Sequence, residues 1–386
     1  MNHPFNANDS HTLGVELELQ LVDTQTGELS NAINRILNRV PEQWSESFKP
    51  ELMQSYCEIN TGICHTVGDV ERDLSAKLEW AGQTAESMGL QFLWAGTHPF
   101  SDWADQQISP GERYAWLTDR MQDVARQLVC FGLHIHVGVD SGDKAIQMCD
   151  RMLRHLPTLL ALSANSPLWC GRDTGIMSYR SKLMDALPTA GLPLTMRNWS
   201  EYVWLMNHLV DTQFINSVRE IWWDVRPHGG FGTVEIRIMD MPRHLNHVLG
   251  LVAMTQSLVA AISDQIDKGA YLYDCHPMIA KQNKWHAARF GLDASFVDPD
   301  TMLAVPARQT VRRLMELCDP FAERLGCREH LQYISDLLDH GNGAEYQQDV
   351  FHRAESDARA VVAALLEGRQ DSTVAASRDK AGRSGG

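Results

Sequence analysis

The 386-residue sequence is short of several things, and each shortage excludes a class of protein. Its eight cysteines (Cys57, Cys64, Cys130, Cys149, Cys170, Cys275, Cys318 and Cys327) contain no C-x-x-C pair. That spacing fits reduced thiols better than a disulfide framework or a zinc knuckle. Lys and Arg number 34 against 49 acidic residues, and the net charge is −15. No basic run is available to neutralise a phosphate backbone, so nucleic acid is not an expected partner. The opening MNHPFNANDSHT has neither a basic n-region nor an apolar h-region, which points to a cytoplasmic protein. The apolar run LGLVAMTQSLVAAI, residues 249–262, is interrupted by Thr255, Gln256 and Ser257. It falls short of the roughly 20 apolar residues that span a bilayer and reads as a buried helix, with no membrane partner.

What is present suffices for a large core, since 44% of the residues are hydrophobic. Strand patterns occur near 13–22, 54–61, 90–96, 130–139 and 232–240. Helical periodicity covers 68–88, 113–128 and 143–164, then 245–268, 306–325, 328–340 and 343–367. No linker cuts the chain, so residues 1–368 are expected to form one α+β domain with a mainly antiparallel sheet. The tail, 369–386, is small, polar and aperiodic, and is expected to be disordered. Residues 165–198, rich in Pro, Gly and Arg, are expected to be mostly loop.

The polar faces of the strands carry the chemistry. In LGVELELQLVD, Val15, Leu17, Leu19 and Leu21 share one face while Glu16, Glu18 and Gln20 share the other. In FGLHIHVGV the polar face holds His134 and His136, flanked by Gly132 and Gly138. YCEIN adds Glu58 and Asn60, and TVEIRIMD adds Glu235 and Arg237. A wet sheet face mixes Thr, Ser, Lys and Gln; these faces concentrate metal ligands and a guanidinium. Strand glycines mark close approach of a ligand or of another backbone. Two carboxylates about 7 Å apart repel by about 0.6 kcal/mol in water and ~2 kcal/mol at an effective dielectric near 20. One exposed pair needs no cation, but several convergent carboxylates do. Taken singly, the first strand, the HxH pair and Glu235 with Arg237 have bland alternatives: a solvated face, hydrogen-bonded histidines and a cross-strand salt bridge. Together they favour a metal–nucleotide site with Mg²⁺ or Mn²⁺.

LGVELELQLVD, ELMQSYCEINTGIC, AGTHPF, GERY, FGLHIHVGV, MSYRSKLMDALPTAGLP and WWDVRPHGGFGTVEIRIMD, in this order, resemble the type 2 glutamate–cysteine ligase family. Within it the chain is similar to a bacterial subgroup of ATP-dependent carboxylate–amine ligases with weak glutamate–cysteine ligase activity. The resemblance implies a glutamine synthetase-like catalytic fold, with a curved, mainly antiparallel sheet and helices packed on one face. It implies ATP as cofactor, a small-molecule carboxylate such as an amino acid and an amine as substrates, and a homodimer. It places metal ligands at Glu16, Glu18, Glu58, His134 and Glu235. Glu51 stands where related ligases have a further acid. Its separation from Glu58 is odd, so the two share a side only if the chain bends between them. Arg237 is expected on the transferring phosphoryl group, with His136 and Asn60 beside the nucleotide. Arg180, in the expected loop, and Arg113 or Arg226 are candidates for the substrate carboxylates. Two other readings remain open: an amidohydrolase with zinc on His134 and His136, and a nucleotide-binding scaffold without turnover.

Overall fold

Alternation in the first strand becomes burial in the computed structural model, which describes residues 4–8, 10–270 and 275–368. In β1 (Leu13–Asp23), Leu17, Leu19 and Leu21 are completely buried under helices, and Val15 nearly so. Each such side chain contributes about 1.5–3 kcal/mol, and Leu17→Ala would cost roughly 2–5 kcal/mol. The same alternation sets the faces of β3 (Tyr56–Asn60), β5 (Gly132–Gly138) and β7 (Thr233–Asp240). With β2 (Phe48–Lys49), β4 (Leu90–Leu93) and β6 (Val225–His228) they make a seven-stranded sheet. The order is β6, β7, β5, β1, β3, β2, and β4 pairs with the Gln20–Asp23 end of β1. Every ladder in this sheet is antiparallel.

The sequence pattern passed over β2 and β6. β6 contains Pro227, which cannot donate to a ladder and argues against a central strand. The strand is nevertheless real because it lies at the sheet edge. The helix expected over 113–128 ends at Met121 and restarts at Asp123, with Gln122 at a positive φ of 51° between them. The one expected over 143–164 divides into Gly142–Met152 and Leu156–Ser163, with Pro157 in the first turn of the second. Proline lacks the N–H that would continue the first helix. Residues 165–198 are not all loop, since Tyr179–Asp185 is helical. Helices Trp199–Asp211 and Pro277–Phe290 also went unread in the sequence. The expected disordered tail, 369–386, lies outside the described residues.

Leu245–Asp267 is, among the described residues, long and apolar enough to cross a membrane. Its residues Val248–Ser263 are all buried in the protein, packed against β5 and the helix Ala307–Arg324. Val67–Glu86 starts at a capping box, in which Thr66 and Asp69 each satisfy the other's backbone N–H. These helices cover the apolar side of the sheet and leave the other side to the polar residues.

Candidate active site

Register aligns the polar residues across six strands. Arg226 stands opposite Glu235, Glu235 opposite His136, and Glu16 between His134 and Asn60. Glu18 is opposite Glu58, which is opposite Lys49. Because side chains alternate, all of them project from one face.

His136 occupies the centre of one half. Its Nδ1 lies 3.0 Å from Thr233 Oγ1, while its Nε2 is 3.5 Å from Glu16 Oε1 and 3.8 Å from Glu235 Oε1. That Nε2 is buried and makes no hydrogen bond among the described residues. One donor atom each from Glu16, His136 and Glu235 lie within 4.8 Å of one another, a spacing that can hold a metal ion. His134, expected among the ligands, turns Nδ1 to Glu16 Oε2 at 3.1 Å and Nε2 towards Glu18 at 3.7 Å. His136, which the resemblance sets beside the nucleotide, thus offers a single nitrogen to two carboxylates, whereas His134 meets its two acids through different nitrogens.

Glu235 is held by two guanidiniums. Arg226 grips it with Nε at 2.6 Å and Nη2 at 3.3 Å, and Arg237 Nη1 hydrogen-bonds it from two residues along the strand. Burial alone would raise the Glu235 pKa, but Arg226 and Arg237 overcome it and hold the carboxyl well below its ordinary value. Glu16 behaves alike: burial is outweighed by the neighbouring imidazoles of His134 and His136. Arg226 is thus committed to Glu235, with Nη1 on the Ile221 carbonyl at 2.7 Å, rather than left open for a substrate carboxylate. Arg237 keeps an unspent donor, since its buried Nε has no partner among the described residues.

The other half is crowded with like charge. Glu51 and Glu58 hydrogen-bond each other, and both pKa values are raised, by burial first and by neighbouring carboxylates next. The odd spacing is resolved by a turn through Leu52–Ser55, which folds Glu51 back over the end of β3. Asn60 Nδ2 donates to Glu58 at 2.7 Å, and the nearest cation to Glu58 is half-exposed Lys49 at 3.8 Å. Glu18 accepts the Gly132 N–H.

Two expectations need correction beside this half. Arg180 lies in a helix, not a loop, and is 3% exposed. Its guanidinium spends Nη1 and Nη2 on the carbonyls of Arg237 and Ile238, where the β5–β7 register shifts. It packs so closely over Gly132 that a Cβ there would sit 2.2 Å from Nη2. Gly138 likewise makes room for the chain, meeting Asn8 and the Ser10 carbonyl. The strand glycines therefore mark approach of the protein's own chain. Arg113 is exposed on the helix Glu112–Met121, and its charge acts on Glu51.

Thr233 was missed in the sequence, although period two places it on the same face as Glu235 and Arg237. Lys49 was missed because a two-residue strand carries no period.

Comparison with known sequences decides the kinship. The pattern of glutamate-cysteine ligase family 2 matches residues 12–367. The chain belongs to this family. A family member named "Putative glutamate–cysteine ligase 2" from Gloeobacter violaceus is 42% identical over 369 residues, 95% of this chain and 98% of that one. A relative of the same name from Thermobifida fusca is 42% identical over 357 residues, covering 92% and 90% of the two chains. Among solved structures, a bifunctional glutathione synthetase from Pasteurella multocida superposes with a TM-score of 0.71 at 15% identity, over 94% of this chain and 52% of that one. This chain thus spans about half of that structure's length. Glutamate–cysteine ligase from Francisella tularensis, in complex with AMP, gives 0.64 at 13% identity over 97% and 95%. These last two likenesses are of fold, and they bear out the α+β, glutamine synthetase-like ligase architecture expected from the sequence. Membership of glutamate-cysteine ligase family 2 makes the chain a ligase of the carboxylate–amine kind.

Proposed function

We propose that the protein is an ATP-dependent ligase that joins a small carboxylate to an amine through an acyl phosphate, with Mg²⁺ or Mn²⁺. Glutamate and cysteine are the default pair, at a weak rate. The observation that carries this reading is the convergence of Glu16, Glu18, Glu51, Glu58 and Glu235 with His136 and Arg237 on one sheet face.

The donor set fits a hard divalent cation. It is mostly carboxylate oxygen with one free imidazole nitrogen, and burial and mutual repulsion disfavour full ionisation of Glu51 and Glu58 unless a cation balances them. A cation held by these groups would offset and orient the charge of the triphosphate. The residues do the positioning. Arg237, kept protonated by Glu235 and Glu16 against the effect of burial, directs its unpartnered Nε to the transferring phosphoryl group. His134 fixes Glu16, and Thr233 fixes the His136 ring. A substrate carboxylate oxygen attacks the γ-phosphorus and ADP leaves. The amine nitrogen then attacks the acyl carbon, phosphate leaves, and the amine proton passes to solvent. No side chain needs to form a covalent bond.

An amidohydrolase would need several imidazoles on one metal. The two nitrogens of His134 face different carboxylates, and the group of donor atoms close enough to share one ion among the described residues contains a single imidazole, that of His136. Of the further histidines such an enzyme could draw on, His228 has its ring 5.5 Å from that of His136 with Nδ1 accepting the Phe231 N–H, and His276 lies elsewhere, at the start of Pro277–Phe290. The deciding experiment measures ADP and phosphate release across pairs of amino acids and amines. Release that requires both partners supports the ligase. Amide cleavage without ATP overturns it, and ATP binding without any turnover leaves a scaffold.

A further inference from the structure

We infer that Lys284, a buried lysine away from the polar face, is a positioning residue for Arg237, acting through Asp224, whose backbone holds the arginine where the sheet bulges. This rests on the ligase reading above, in which Arg237 meets the transferring phosphoryl group, and adds what keeps that arginine aimed.

β7 does not run evenly beside β5. The register shifts between Ile236 and Met239, so Arg237 lies in an irregular stretch of strand. Such irregularities bend a strand and re-aim the side chains they carry. The Arg237 side chain offers little anchorage of its own. Nη1 meets Glu235 and lies 3.4 Å from His134 Nδ1, while the buried Nε has no partner among the described residues. Its direction therefore depends on its backbone.

That backbone is held from outside β5. The Arg237 N–H donates to the Asp224 carbonyl at 2.8 Å, just beyond the Val225–Ile236 pair of the β6–β7 ladder. Facing residues of a regular antiparallel ladder exchange both bonds. Asp224 instead spends its own N–H on the Gly191 carbonyl at 2.8 Å, and the Arg237 carbonyl is taken by Arg180. One bond from Asp224 thus sets the N-terminal side of Arg237, and the place of Asp224 matters.

Lys284 fixes that place. It is 4% exposed on the helix Pro277–Phe290, and its Nζ lies 2.7 Å from Asp224 Oδ2 and 2.7 Å from Asp185 Oδ1. The two aspartates outweigh burial and hold the ammonium above its ordinary pKa. Asp185 has a second cation, Lys182 at 2.6 Å, whereas Asp224 is paired with Lys284 alone among the described residues. A buried ion pair adds little net stability over an apolar pair of the same size, but its partners cannot shift without stranding a charge. Fixed geometry is what a phosphoryl-positioning arginine needs, since a misplacement of about 1 Å can cost roughly 100-fold in rate.

The test measures ADP release by the full-length protein, with the amino acid–amine pair that gives most release, at varied ATP. Lys284→Met should lower kcat about tenfold with the KM for ATP changed less than about twofold, and Lys284→Arg should recover part of kcat. In an Arg237→Lys background, Lys284→Met should cost less than about twofold, because the group it positions is gone. The neutral triple Asp185→Asn/Asp224→Asn/Lys284→Met strands no buried charge and should show the same kcat loss, so it decides if Lys284→Met does not fold. Where Arg237→Lys leaves too little rate to divide, the kcat-against-KM split and the recovery by Lys284→Arg decide. A raised KM at unchanged kcat, an equal loss in both backgrounds, or a triple variant with wild-type kcat would overturn the positioning role and leave the ligase reading standing. If wild type released no ADP with any pair, the ligase reading would fall and the positioning role with it.

Discussion

Glu16 and Glu58 stand on adjacent strands of the same polar face, yet the protein treats their charges in opposite ways. Around Glu16 and Glu235, two histidines and two arginines hold the carboxyls below their ordinary pKa. Around Glu58 and Glu51, burial and mutual repulsion push them up, outweighing Arg113 and Arg237 near Glu51 and half-exposed Lys49 beside Glu58. One half is internally neutralised and acts partly as structure. The other is held in a state that a bound cation would relieve, and no packing reason requires such crowding.

The largest test of that contrast is stability in the absence of metal. Glu235→Gln should lose about 3–5 kcal/mol in denaturant unfolding, because Arg226 and Arg237 would remain side by side without their counter-charge. Glu58→Gln should lose nothing and gain ~1 kcal/mol by removing repulsion. Equal losses in both variants would erase the distinction.

The second test is pH. An acid with a depressed pKa in the folded state stabilises above its ordinary pKa and loses that contribution as pH falls. One with a raised pKa stabilises below its ordinary value and loses the contribution as pH rises through the folded pKa. Metal-free stability should therefore fall on the acid side through Glu16 and Glu235, and on the rising side above about pH 4.5 through Glu51 and Glu58. Mg²⁺ at a hundred times its Kd should restore about 2.7 kcal/mol, and more at pH 8 than at pH 5.5, because it binds the ionised carboxyls. A Mg²⁺ increment in thermal melts that does not change with pH would count against the crowded half as a cation site.

A smaller effect should follow from Thr233→Val, which frees the His136 ring while leaving every carboxylate in place. Metal affinity, read by competition with a fluorescent chelator, should weaken roughly 10–100-fold with unfolding little changed. Undiminished affinity would separate His136 from the metal. The smallest effect is expected from Lys49→Met. A half-exposed partner at 3.8 Å should be worth under about 1 kcal/mol, and a larger loss would mean the crowded half is compensated after all.

Much of this face was legible in the sequence because period two is a local property. Glu16, Glu18, Glu58, His134, His136, Glu235 and Arg237 were found that way, and the motif order indicated the family. Glu51 was not legible by period, since it reaches the site through a turn. Arg226 and Arg180 were identifiable as arginines near the chemistry, but not as groups already engaged by Glu235 and by the strand carbonyls. Those partners lie 9 and about 57 residues away and depend on cross-strand register.

The sequence by itself determined which residues face together, since alternation is fixed by backbone geometry and Leu17 cannot exchange sides with Glu16 or Glu18. Only the tertiary structure decided which of those carboxylates are neutralised and which are left crowded. A carboxyl's charge state depends on what lies within a few ångströms, and here those neighbours arrive on other strands and through a turn.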